Sequence, residues 1–209
     1  MQTHLLNTNS GPTRRGFLLA GVSALVAGLA WPRAALALNE REAEALVDRV
    51  VADINATIGA GRSESWMIGQ FEQIFANYAN VPAIAQQVLG PLARAASASQ
   101  MRRYTSAFQG YVARKYGKRF REFIGGQVTV QGATARRSYY EVKTVARLQG
   151  RPPFNVSFRV AEFGGRSLFF DMLIEGISLI KSEREEMNAL LEQRRRNLDQ
   201  LIADLPRLG

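Results

Sequence analysis

The chain has 209 residues, 46% of them apolar, with 27 Lys plus Arg against 18 Asp plus Glu, one His and no Cys. That is the size of one ordinary domain, too small for a multi-domain enzyme and too apolar for a disordered chain. The missing cysteines exclude thiol nucleophiles, disulfide frameworks, iron–sulfur clusters and Cys-ligated zinc.

The chain opens with Arg14-Arg15 ahead of an apolar run from Phe17 to Trp31, followed by Ala35-Leu36-Ala37. This order of charged, apolar and small-residue regions is that of a bacterial signal peptide, so residues 1–37 are expected to be an export signal cleaved after Ala37 and 38–209 the mature domain. The paired arginines, and an apolar run diluted by Gly16, Gly21 and Gly28, favour the twin-arginine route over the general secretory one. The run is shorter than the roughly twenty residues that a membrane-spanning helix needs. The first 37 residues hold three arginines and no acid, so the mature domain carries a net charge of +6. His4, the single histidine, leaves with the signal. Ser-His-Asp triads, Cys-His pairs and His-ligated metals are then excluded from the mature protein, expected to be periplasmic.

Asn39-Glu40-Arg41-Glu42 forms a capping box, and Leu46, Val47, Val50, Val51, Ile54 and Ile58 follow at helical spacing until Gly59-Ala60-Gly61. Ser63 caps a second helix with Met67, Phe71, Ile74, Phe75 and Tyr78 on one face. Asn80-Val81-Pro82 opens a third, carrying Ile84, Ala85, Val88 and Leu89 and broken by Gly90-Pro91. A long fourth helix is predicted from Ser99 through Met101, Tyr104, Phe108, Tyr111, Val112, Phe120 and Phe123, stopped by Gly125-Gly126. Its other face is basic, with Arg102, Arg103, Arg114, Lys115, Lys118, Arg119 and Arg121.

After Gly126 the apolar period changes to two. Four strands are predicted, marked by Val128 and Val130, by Tyr140, Val142 and Thr144, by Phe154, Val156, Phe158 and Val160, and by Phe170, Met172 and Ile174. Short glycine-containing turns separate them, so the sheet is expected to be antiparallel. Ser182-Glu183-Arg184-Glu185 reads as a second capping box, before one closing helix with a stripe from Met187 to Leu205. The fold class is α+β.

Few of these residues suggest catalysis. Asp171 and Glu175 fall four apart on one side of a strand, more often a structural or solvated arrangement than an acid–base pair. No glycine-rich stretch leads into the Lys-Ser/Thr of a phosphate loop. Basic residues with aromatics between them, as in Arg114 to Phe120, suggest nucleic acid in a cytoplasmic protein. In an exported one, lipid head groups and acidic membrane proteins are the expected anionic partners. Eleven Phe, six Tyr and two Trp fit either a filled core or an apolar cavity, and periodicity does not distinguish the two.

The segment Tyr78-Ala79-Asn80-Val81-Pro82-Ala83-Ile84-Ala85-Gln86-Gln87-Val88-Leu89-Gly90, followed by Arg94 and Gln100, resembles the MlaC family of periplasmic phospholipid-binding proteins. Tyr116-Gly117-Lys118-Arg119-Phe120, Gly125-Gly126-Gln127-Val128 and, most specifically, Asp171-Met172-Leu173-Ile174-Glu175-Gly176-Ile177-Ser178-Leu179 continue the likeness. Departures are Ala93, where the family often has Trp, and Ser167-Leu168-Phe169-Phe170 in place of a Trp-Lys-Val-like strand.

The resemblance implies a nuclear-transport-factor-like roll: helices on a curved, mainly antiparallel four-stranded sheet, enclosing an apolar cavity for acyl chains with the head group outside. It implies a non-enzymatic carrier without metal or cofactor, its phospholipid a cargo. The implied partners are an inner-membrane ABC transporter with an MCE-domain subunit, an outer-membrane lipoprotein–porin complex and, transiently, the membrane surface. The implied role is the maintenance of outer-membrane lipid asymmetry. The residues assigned to the cavity are Phe71, Phe75, Tyr78, Val88, Phe108, Val112 and Tyr116 from the helices. The sheet contributes Tyr140, Val142, Val156, Phe158, Met172 and Ile174. An adaptor with a filled core, or an isomerase-like enzyme of the same roll, are the other readings.

Overall fold

A computed structural model of the chain describes residues 38–209; the expected export signal and His4 lie outside the described residues. Helix α1 (Glu40–Gly59) begins at the expected reciprocal cap, Asn39 Oδ1 accepting from Glu42 N at 3.0 Å and Glu42 Oε2 from Asn39 N at 3.2 Å. Two orphan amides are thereby satisfied. Ser63 caps α2 (Glu64–Tyr78) and Asn80 caps α3 (Val81–Leu89), after which Gly90-Pro91 leads into the single turn α4 (Leu92–Ala95).

Helix α5 (Ala98–Gly117) departs from the expectation at both ends. It starts at a Ser97–Gln100 capping box rather than at Ser99. It also stops being an α-helix at Gly117, and Lys118–Phe123 tighten into a 3-10 helix. Glycine is a weak helix former, and its place here follows from packing: a Cβ on Gly117 would stand 3.0 Å from Ile68 Cα of α2. The chain then turns through Gly125, at φ +76°, into the sheet.

Strands β1 (Gln127–Ala135), β2 (Tyr140–Arg147), β3 (Phe154–Phe163) and β4 (Arg166–Ile174) are the four predicted, joined by a two-residue β5 (Ile177–Ser178). They form one open, curved sheet in sequential order, antiparallel throughout. Cross-strand rows Val142–Phe158–Met172 and Thr144–Val156–Ile174 put these six side chains on one face. Helix α1 packs on that side of β1 and β2.

A bulge interrupts the β3–β4 pairing: Arg159 opposes Asp171 but Val160 opposes Phe169, leaving Phe170 as the extra residue. Phe170 was expected beside Met172 and Ile174; the bulge turns it to the opposite face, against the ring edges of Tyr139 and Phe163. Phe169 is buried in its stead, next to Phe158 and Phe75.

The closing helix is two helices, α6 (Leu179–Gln193) and α7 (Leu198–Asp204). Ser182 lies inside α6; the cap is Ser178, whose Oγ also donates to Asp171 Oδ2 at 2.8 Å. Asp171 Oδ1 accepts from Ile180 N at 3.2 Å, so a strand carboxylate fixes where the helix begins. Arg195 and Arg196 take positive φ and break the stripe before Asn197 caps α7. Tyr104, Phe108, Met187, Leu191, Leu201 and Leu205 make a fully buried core from α5, α6, α7 and the last turn.

Candidate functional site

The inner face of the sheet does not close fully on the helices. An apolar cavity of about 190 Å³ lies between Ile54 of α1, Phe71 of α2, Tyr116 of α5 and the strands. Its strand walls are Val128, Thr144, Ala146, Val156, Phe158, Met172 and Ile174. Phe123 of the 3-10 helix, with Leu148 and Phe154 flanking the β2–β3 connection, completes the apolar lining. The exposed side chains Arg119, Glu122 and Arg151 stand at the rim and mark the opening.

A smaller void of about 30 Å³ continues inward, lined by Val50, Ile74, Phe75, Ile84, Phe169, Asp171 and Leu179. Both spaces share Ile54, Phe71, Phe158 and Met172. These four side chains are a partition between an outer and an inner chamber. Met172 is the most adaptable of them, with an unbranched thioether side chain. Together the chambers are smaller than the roughly 300–1,000 Å³ of ordinary small-ligand pockets, so a ligand that fills both as one space must displace this partition.

Polar groups on the outer wall are largely satisfied within the protein. Thr144 Oγ1 donates to Val156 O at 2.9 Å. Tyr116 OH donates at 2.6 Å to Glu183 Oε1, which also takes Lys115 Nζ at 2.8 Å. Glu183 is 0% exposed, a buried carboxylate retained by this pairing. Burial, and then the charge of Glu183, hold the Tyr116 hydroxyl far above its ordinary range, so it remains a neutral donor. At the rim Arg151 pairs with Glu122 at 2.8 Å.

Of the residues assigned from the sequence, Phe71, Tyr116, Val156, Phe158, Met172 and Ile174 line the outer chamber and Phe75 the inner one. Tyr78 is only half-buried and donates to Asp53 Oδ2 at 2.8 Å. Val88, Phe108 and Val112 are buried in the helical core away from both chambers. Val142 is buried on the correct sheet face, and half-buried Tyr140 follows it one row along; neither borders a chamber. The assignment omitted Ile54, Phe123, Val128, Ala146, Leu148 and Phe154, most of which sit on stripes that the periodicity does identify.

The carboxylates serve the scaffold. Asp171 accepts from Met172 N, Ile180 N, Ser178 Oγ and Arg159. Glu175 sits in a turn at φ +49° and accepts from Asn155 N. Among the described residues no cluster of three or more His, Cys, Asp or Glu could hold a metal ion, and no helix is long and apolar enough to cross a membrane.

The phospholipid-binding protein of Ralstonia solanacearum, solved in complex with a phospholipid, has a similar fold. The likeness has a TM-score of 0.68 at 19% identity and covers 79% of this chain and 95% of that one. Residues 44–207 match the family described as MlaC protein, a span that runs from the second turn of α1 through α7, and on that match the chain belongs to the MlaC family.

Proposed function

We propose that the mature domain is a phospholipid carrier of the bacterial periplasm, holding acyl chains in the apolar chambers and leaving the head group at the rim. The observation that carries this reading is the wall itself: hydrocarbon side chains surround an opening whose two inner polar side chains, Tyr116 and Thr144, donate to acceptors within the protein. Such a wall solvates alkyl chains and offers water almost nothing. Family membership and the lipid complex of the Ralstonia protein support the same reading.

The energetic need is large. At about 0.8 kcal/mol per methylene, two sixteen-carbon chains in water cost on the order of 25 kcal/mol. A protein interior similar to the bilayer removes most of that barrier and lets lipid cross an aqueous compartment. On this reading the domain binds and transports and catalyses nothing; the lipid is cargo and no cofactor takes part. It exchanges cargo with an inner-membrane ABC transporter bearing an MCE-domain subunit and with an outer-membrane lipoprotein–porin complex, helping to maintain outer-membrane lipid asymmetry. The domain stays reversible because filling the chambers requires displacing Ile54, Phe71, Phe158 and Met172, a cost that favours release when a membrane is in contact.

The test is organic extraction and mass spectrometry of protein purified from its own periplasm. The expected result is stoichiometric phospholipid. Protein that is lipid-free, and that takes up no phospholipid from vesicles, would refute the reading.

A further inference from the structure

Five polar side chains line the described part of the outer chamber: Tyr116, Arg119, Glu122, Thr144 and Arg151. Four of them are committed inside the protein, Tyr116 to Glu183, Thr144 to Val156 O, and Glu122 and Arg151 to each other. Arg119 alone makes no hydrogen bond or ion pair among the described residues. Its basic neighbours are all engaged: Arg114 donates to the carbonyls of Leu205 and Leu208, Lys115 pairs with Glu183, Lys118 donates to Gly209 O and Arg121 pairs with Glu64. In a run of basic residues otherwise tied down, one guanidinium is left available, and it is the one at the mouth of the apolar chamber.

We propose that Arg119 is the recognition point for the phosphodiester of the bound lipid, an inference that rests on the carrier reading above. A guanidinium presents a planar fork of donors that matches two phosphate oxygens, and it stays charged at every physiological pH. Beside a wall of hydrocarbon its field is less screened than on an open surface. Tails in the chamber place the glycerol and phosphate at the rim, within the sweep of this side chain. The neutral Arg151–Glu122 pair leaves the rim with the single positive charge of Arg119, the sign that an anionic diester requires. Arg119 thus selects phosphate-bearing lipids over uncharged ones with the same tails.

The experiment compares delipidated wild-type protein with Arg119→Ala, Arg119→Glu and Arg119→Lys. Each is titrated with phosphatidylglycerol, phosphatidylethanolamine, diacylglycerol of identical chains and inorganic phosphate. Far-ultraviolet circular dichroism confirms that each variant is folded; Arg119 is exposed, and no packing is lost. Wild type should prefer both phospholipids to diacylglycerol. Arg119→Ala should weaken both phospholipids roughly fivefold and Arg119→Glu roughly tenfold or more, with diacylglycerol unchanged and Arg119→Lys, which keeps the charge but not the fork, restoring only part of the loss. If wild type takes up diacylglycerol and phospholipids equally, or Arg119→Glu leaves their ratio unaltered, the assignment is overturned while the carrier reading stands. If wild type takes up none of the three lipids, the carrier reading falls and the assignment with it. Arg119-dependent binding of inorganic phosphate by the lipid-free protein would make this a free-anion site and overturn the assignment to lipid.

Discussion

Replacing Phe158 by Ala tests the partition directly. Phe158 is 3% exposed, borders both chambers and meets Phe169 edge-on with ring centroids 5.4 Å apart. Truncating a buried Phe costs about 3–5 kcal/mol, of which an aromatic pair accounts for about 1. Because this ring already faces open space on two sides, the lower end applies, about 3 kcal/mol for the lipid-free protein. The variant merges the chambers and lets an acyl chain reach deeper. Two further methylenes buried at about 0.8 kcal/mol each recover about 1.6 kcal/mol, so the loaded variant should be only about 1.4 kcal/mol less stable than loaded wild type. Linkage then requires affinity to rise roughly 15-fold. Urea unfolding of delipidated and loaded forms measures both costs, and titration with a fluorescent phospholipid measures the affinity independently. Equal destabilisation in the two forms, with unchanged affinity, would refute the claim that Phe158 separates two lipid-accessible spaces.

The other expectations concern the wall, the buried polar cluster and the rim. Ala146→Trp places an indole in the outer chamber and should lower bound phospholipid at least tenfold in a protein that remains folded, as read by lipid phosphorus per mole. Glu183→Ala leaves Lys115 and Tyr116 without their acceptor and should destabilise by about 2–4 kcal/mol in urea. Tyr104, Tyr111 and Tyr116 have hydroxyl pKa values raised chiefly by burial, so the folded state keeps protons that the unfolded chain gives up. Stability should therefore hold below pH 10 and fall progressively above it, and Tyr104→Phe, which removes a buried hydroxyl with no hydrogen-bond partner among the described residues, should flatten that decline and add up to about 1 kcal/mol. Arg151→Ala breaks an exposed ion pair across the mouth; unfolding should shift by less than about 0.5 kcal/mol while lipid uptake in stopped flow accelerates.

Local signals gave the helices and the sheet face, because caps and periodicity are properties of neighbouring residues. Asn39, Ser63 and Asn80 cap the helices they were assigned to, and Val156, Phe158, Met172 and Ile174 share a face as alternation requires. The misreadings arise where a distant partner decides. Phe170 changes face through a one-residue bulge that leaves no compositional trace. The start of α6 depends on Asp171, nine positions before Ile180, rather than on the Ser182–Glu185 pattern. Phe108 and Phe71 look alike on their helical stripes, yet α5 packs its stripe into the core with α3 and α7 while Phe71 looks onto unfilled space. Whether an apolar residue meets another side chain or a void is a property of the assembled layers, beyond the reach of spacing.

The rim is carried by a 3-10 helix, Lys118–Phe123, and by the connection around Arg151, whereas Tyr104, Met187, Leu191, Leu201 and Leu205 are sealed among the helices. Short irregular segments open at much lower free energy than a sealed helical interior. On the carrier reading, the doorway yields at each loading and discharge while the foundation stays locked, so turnover of cargo and durability of the molecule would be set by separate stretches of chain.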